Sequence, residues 1–130
     1  MDSSTTHTVR SVMTARVLAI APNAPLEVAL RLMTESGVRH LPVIDGDRCV
    51  GLLHEADVLW TLWTHGPVAR DVGVCCRTPA PMVTIDDSVT AAAARIDDSG
   101  GDAALVTDNG TLVGIITATD LVCYLAALTR

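Results

Sequence analysis

The chain repeats itself. A shift of 63 residues lays its first half on its second without a gap from Ile20 to Leu62. Gly51 falls on Gly114 and Asp57 on Asp120, and the same shift pairs Ala29 with Ala92, Ser36 with Ser99, Gly37 with Gly100, Val43 with Val106, Asp45 with Asp108 and Val50 with Val113. Two copies fall short of the three or so that a solenoid needs to bury its faces. A closed pair of like units is what remains.

Each copy carries the same local signals. In the first, Leu18–Ile20 is a short strand, and Pro22–Pro25 turns into a helix with proline at an early position. Leu26, Ala29, Leu30 and Met33 follow helical spacing, and Gly37 ends the helix. Leu41–Ile44 and Cys49–Leu53 are strands joined by the turn Asp45-Gly46-Asp47, and a second helix runs from about Glu55 through Trp63. In the second copy Met82–Ile85 is a strand, and Asp87 or Ser88 caps a helix bearing Val89, Ala92, Ala93 and Ile96. Gly100-Gly101 stops that helix. Ala103–Thr107 and Thr111–Ile116 flank Asp108-Asn109-Gly110, the strongest short hairpin signal in the chain. The last helix runs from about Ala118 to Leu128.

The predicted fold class is therefore α/β of the α+β type, with two β-α-β-β-α repeats packed around a pseudo-twofold axis. Neither repeat can cover a short sheet and two helices alone. The expected layout is a disordered tail over 1–8, repeat 1 over 9–65, a connector over 66–81 and repeat 2 over 82–130. The connector Gly66–Pro81 contains Val68-Ala69-Arg70-Asp71-Val72, similar to the lead-in Val9-Arg10-Ser11-Val12-Met13-Thr14 before repeat 1.

Composition sets the class of core and of partner. With 49% hydrophobic residues, 2% aromatic and no phenylalanine, the core must be aliphatic, and little surface exists on which bases could stack. The net charge is −6 and every cation apart from histidine is arginine, without a basic block. Nucleic acid and anionic membrane are thus excluded as main partners. Met1–Thr8 is polar, without a signal-peptide pattern, and no apolar run approaches membrane-spanning length. The four cysteines, Cys49, Cys75, Cys76 and Cys123, are read as reduced thiols in a cytoplasmic protein.

The candidate chemistry sits where a strand runs directly into a helix, at Gly114-Ile115-Ile116-Thr117-Ala118-Thr119-Asp120. Thr117 followed three residues later by an acid is a capping box. The same helix N-terminus offers N–H groups and a positive dipole end to phosphate, while a carboxylate can accept two hydrogen bonds from a ribose diol. The two roles are compatible.

The repeated Gly-hydrophobic-x-Ser/Thr-x-x-Asp junction resembles the cystathionine-β-synthase (CBS) domain family. So do Val38-Arg39-His40-Leu41-Pro42-Val43 and the lead-in Val-Arg-Ser-Val-Met-Thr. The resemblance covers Val9 to about Leu125. It implies a tandem pair, or Bateman module, with two clefts that take adenosine derivatives: AMP, ADP, ATP, S-adenosylmethionine or a dinucleotide such as NAD. It implies a regulatory ligand rather than a required cofactor. On this resemblance Asp120 holds the ribose, Thr117 contacts ribose or phosphate, Arg39 reaches a phosphate, and Ile20 and Ala21 line the adenine pocket. In the other cleft Asp57 takes the ribose role, His40 lies near the phosphates and Val83 and Thr84 near the base.

Both repeats depart from the pattern. In repeat 1 His54 stands at the Ser/Thr position and Glu55 adds negative charge where phosphate would sit; in repeat 2 Asp102-Ala103 replaces the pair found at Arg39-His40. The Asp120 cleft is accordingly the expected better site.

The remaining residues point away from catalysis. No Cys-x-x-Cys or His-Glu-x-x-His spacing suggests a metal, and no nucleophile elbow, P-loop or dinucleotide glycine fingerprint is present. His7 is placed in the tail and His65 at a helix end. Trp60 and Trp63 share a face of their helix, and Leu121–Leu128 is apolar almost all round, so a homodimer through these helices is expected. The leading reading is a stand-alone, non-catalytic sensor of an adenosine-type ligand that signals to an effector protein in trans. A ligand-free scaffold with degenerate clefts is the alternative, and a redox protein using Cys75-Cys76 ranks below both.

Overall fold

The computed structural model describes residues 7–66 and 70–130. Along the chain the elements are α1 (Val9–Val12), α2 (Leu26–Ser36), β1 (His40–Asp45), β2 (Arg48–His54), α3 (Glu55–His65), a 3₁₀ turn (Val72–Val74), β3 (Met82–Thr84), α4 (Val89–Ser99), β4 (Ala103–Asp108), β5 (Thr111–Thr117) and α5 (Ala118–Leu128). They form two compact units. One is Leu18–Ala80; the other joins the N-terminal segment up to Val17 with Pro81–Arg130.

In the unit Leu18–Ala80, β1 and β2 form an antiparallel hairpin with a register irregularity between Val43 and Ile44. Helix α2 buries Leu26, Ala29 and Met33, a helical stripe, and ends at Gly37 with φ 73°. These side chains meet Ile20, Leu41, Val43, Leu53, Val58 and Val72 in an all-aliphatic core.

The second unit is built alike. Strands run in the order β3-β4-β5, with β3 parallel to β4 and β4 antiparallel to β5, and the irregularity recurs one repeat on, between Val106 and Thr107. Of the two predicted caps for α4, Ser88 is the one used: its hydroxyl accepts the Ala91 N–H at 3.0 Å. The β4–β5 turn has φ 53° at Asn109 and φ 82° at Gly110, as a two-residue type I′ hairpin requires. Val9, Val83, Ile85, Ala92, Ile96, Ala104, Val106 and Ile116 form the core.

Three expectations are corrected. The strand expected at Leu18–Ile20 shrinks to one parallel bridge between Ile20 and Val43. Ile20 N–H donates to the Pro42 carbonyl at 3.0 Å and Ile44 N–H to the Ile20 carbonyl at 2.9 Å. The next rung toward the N-terminus would need an N–H from Pro42, which has none. In the other repeat Leu105 stands at that place, its N–H donates to the Pro81 carbonyl at 2.9 Å, and β3 forms.

The second correction concerns the lead-ins. Val72, not Val68, takes the place of Val9; both are fully buried, Val9 opening α1 and Val72 opening the 3₁₀ turn. Val68 and Ala69 lie outside the described residues. The 63-residue shift thus extends upstream to Val9, and each lead-in serves the repeat that does not follow it: Val9–Thr14 sits in the unit of the second repeat and Val72–Arg77 in that of the first.

Third, the tail expected over 1–8 is tied down at its end. The His7 carbonyl accepts the Val89 N–H at 3.2 Å, its ring nitrogen Nδ1 lies 3.0 Å from the Tyr124 hydroxyl, and Thr8 bridges Ser88.

Candidate functional site

In the second unit β5 runs directly into α5, and this junction fixes both predicted residues. Thr117 has extended backbone, φ −117° and ψ 165°, which leaves its side chain over the first turn of the helix. Its hydroxyl accepts the Asp120 N–H at 3.2 Å, while Asp120 Oδ2 accepts the Thr117 N–H at 2.9 Å. That is the reciprocal capping box the sequence predicts. The other oxygen, Oδ1, meets the Thr14 hydroxyl at 3.4 Å, long for an O–H···O bond. Thr14 is held there by two backbone bonds to Ile115, of 2.8 and 3.0 Å.

Val83 and Thr84 belong to this unit too, on β3, with Val83 in the core and Thr84 exposed. The Thr84 N–H donates to Asp87 Oδ2 at 2.9 Å, so Asp87 closes the turn after β3 while Ser88 caps α4.

The first unit repeats the junction with different side chains. β2 runs into α3 at His54, whose side chain makes no capping bond. His54 is 6% exposed and lies edge-to-face with His40, ring centroids 5.0 Å apart. Register explains the meeting, because His40 stands directly opposite His54 across the hairpin. Asp57, the counterpart of Asp120, accepts from Arg77 twice, Oδ2 from Nε at 2.8 Å and Oδ1 from Nη2 at 3.3 Å. Arg39 is exposed and its carbonyl accepts the Glu55 N–H at 2.9 Å, which seats the start of α3. Ile20 is in the core and Ala21 is exposed beside it.

Thr117, Asp120, Val83 and Thr84 thus lie in one unit, and Arg39, His40, Ile20, Ala21, His54 and Asp57 in the other. A sequence profile of the CBS domain matches residues 9–63 and again residues 69–127. The chain belongs to the CBS domain family. CBS domains are regulatory modules.

Similar proteins bear this out at the level of the fold. A CBS domain pair, protein MJ0100, in complex with 5′-methylthioadenosine and S-adenosyl-L-methionine is 17% identical with a TM-score of 0.85, over 94% of this chain and 98% of that one. CBSX2 in complex with AMP is 26% identical with a TM-score of 0.77, over 95% of this chain and 99% of that one. An inosine-5′-monophosphate dehydrogenase of Thermoplasma acidophilum is 34% identical over 108 residues, 82% of this chain and 21% of that protein. The chain spans less than half the length of the curated relatives it matches.

Two residues of the CBS junctions escaped sequence reasoning, Thr14 and Arg77. Both lie in the lead-ins, 63 residues apart, and each faces the aspartate of the repeat that the other lead-in precedes. The signal was there: the shift that pairs Asp57 with Asp120 also pairs Thr14 with Arg77.

The cysteine chemistry is unpromising for redox work. Burial pushes the Cys49, Cys75 and Cys76 thiols up from their ordinary value, and the Asp57 carboxylate adds to the rise at Cys75. Thiols so placed are weak nucleophiles near neutral pH. No helix of the described residues is long and apolar enough to cross a membrane.

Proposed function

We propose that the chain is a non-catalytic regulatory module that binds an adenosine-containing ligand and, as a homodimer, passes the signal in trans to an effector protein. The Thr117–Asp120 junction carries this reading. A ribose diol donates two hydrogen bonds, and charge-assisted bonds to a carboxylate are among the strong ones. The N-terminus of an 11-residue helix, α5, adds the positive end of its dipole for a phosphate or other anionic group. That CBSX2 is described in complex with AMP supports AMP as the first ligand to try, with ATP, S-adenosylmethionine and NAD sharing the same adenosine.

The homodimer rests on exposed apolar side chains. On α3, Trp60 is 68% and Trp63 84% exposed, beside Leu59. On α5 no residue is buried, and Val122, Leu125 and Leu128 all face outward. Large apolar side chains grouped on one helix are what a subunit contact covers.

A second reading, a scaffold without ligand, is favoured by the first repeat, where His54 does not cap and Arg77 occupies Asp57. Isothermal titration with AMP, ATP, S-adenosylmethionine and NAD, with light scattering for mass, separates the two. Saturable binding of any of these to a dimer supports the sensor. A folded dimer that gives no heat with any of them leaves the scaffold.

A further inference from the structure

The two aspartates occupy the same place in their repeats and differ in what faces them. Asp120 meets a neutral hydroxyl from Thr14 at 3.4 Å. Asp57 meets the guanidinium of Arg77, one N–H group on each carboxylate oxygen, at 2.8 and 3.3 Å. The backbones that deliver these side chains are alike. Thr14 and Ile115 exchange two hydrogen bonds of 2.8 and 3.0 Å; Arg77 and Leu52 exchange two of 2.9 and 3.0 Å. Gly51 and Gly114 admit both segments at the same distance, since a methyl group on either would lie 2.8 or 2.9 Å from the carbonyl oxygen of Arg77 or Thr14. What differs between the halves is the side chain.

A cis-diol binds a carboxylate by giving one O–H to each oxygen. The forked N–H groups of arginine occupy those two oxygens in the same bidentate way. We infer that Arg77 is an intramolecular latch that competes with a ribose diol for Asp57, so that the two repeats accept the ligand unequally. This rests on the adenosine-binding reading above and adds to it the residue that makes the two halves unequal. The side chains of Arg77 and Asp57 are 44% and 30% exposed. An ion pair that open to water is weak, so the latch lowers affinity at Asp57 by roughly twofold to fivefold rather than abolishing it.

The test is titration of the wild-type chain, Arg77→Thr, and Arg77→Thr with Asp57→Ala, each with AMP and separately with S-adenosylmethionine. Arg77→Gln, which keeps most of the side-chain stem, replaces Arg77→Thr if the latter does not fold. Wild type should bind about one ligand per chain in the accessible range. Arg77→Thr should bring a second site into range, or tighten a weak one by roughly twofold to fivefold, and Asp57→Ala should remove that gain. Binding by Arg77→Thr equal to or weaker than wild type overturns the latch while leaving the adenosine reading intact. A wild type that binds neither ligand, with an Arg77→Thr chain that binds through Asp57, keeps the latch and overturns the Asp120 site. No binding by either chain overturns both.

Discussion

Gly114 and Thr14 are packed so closely that a methyl group on the glycine would lie 2.9 Å from the Thr14 carbonyl oxygen, and 2.7 Å from Met13 Sδ. The contact lets an N-terminal segment lie against β5 and present Thr14 to Asp120. Gly51 repeats it, with the Arg77 carbonyl at 2.8 Å and Thr78 Cγ2 at 2.9 Å. These glycines are needed for space, not for backbone freedom. Gly51→Ala and Gly114→Ala should each destabilise the fold by about 1–3 kcal/mol, the usual cost of overpacking. Calorimetry should show Tm falling by roughly 3 °C or more for either. An unchanged Tm would mean that the lead-in can move aside freely.

Much of this was legible in the sequence because it is written twice. The 63-residue shift located both hairpins, both capping glycines and the aspartates. The Thr117 capping box could be read from its spacing alone. The parts that stayed hidden depend on single positions where the repeats diverge. Pro42 against Leu105 decides whether a strand or a lone bridge forms at the start of a repeat, and propensity over Leu18–Ile20 says nothing of a partner's missing N–H. The His40–His54 contact follows from hairpin register, and the residues lie too far apart in sequence for any metal or catalytic spacing to mark them. Thr14 and Arg77 stay hidden when the lead-in is aligned with Val68–Val72, four residues early, because that alignment conceals their equivalence.

Capping and ligand contact meet in Asp120, and they can be separated. Asp120→Asn keeps an acceptor for the Thr117 N–H at N3 but loses the charge. It should cost stability less than about 0.5 kcal/mol while weakening adenosine-ligand affinity about tenfold. Thr117→Ala removes the cap and should cost about 1 kcal/mol of stability. Asp57→Asn should change affinity far less than Asp120→Asn in the wild-type background. Equal losses from the two aspartates in titration would show that both repeats hold ligand.

The thiols should report burial as a pH profile. Raised pKa values mean that Cys49, Cys75 and Cys76 are protonated through neutral pH and gain nucleophilicity only as pH rises toward and past those values. Cys123 on α5 is exposed. At pH 7.5 an aromatic disulfide reagent should therefore label one thiol per native chain quickly and the other three several times more slowly, with the slow rates still climbing above pH 9. Fast labelling of Cys75 and Cys76 at pH 7 would reverse this assignment and revive a redox role for the vicinal pair.

The exposed tryptophans set the last prediction. Trp60 and Trp63 stand three residues apart on α3, so they lie on one face, and both rings stand largely in water. Tryptophan is also the residue type most often found at the energetic centre of an interface, where truncation commonly costs 2 kcal/mol or more. If a second copy covers this face, the double change Trp60→Ala and Trp63→Ala should raise the dimer dissociation constant by roughly 30-fold or more. The monomer should stay folded, because neither side chain belongs to the core. Light scattering across a dilution series would show a wild-type mass of two chains falling to one in the variant at the same concentration. Wild-type tryptophan emission should shift to the red on dilution as the rings return to water. A wild-type mass of one chain at tens of micromolar, or a variant that dimerises as tightly as wild type, would exclude α3 as the contact and leave the apolar face of α5 as the surface to test next.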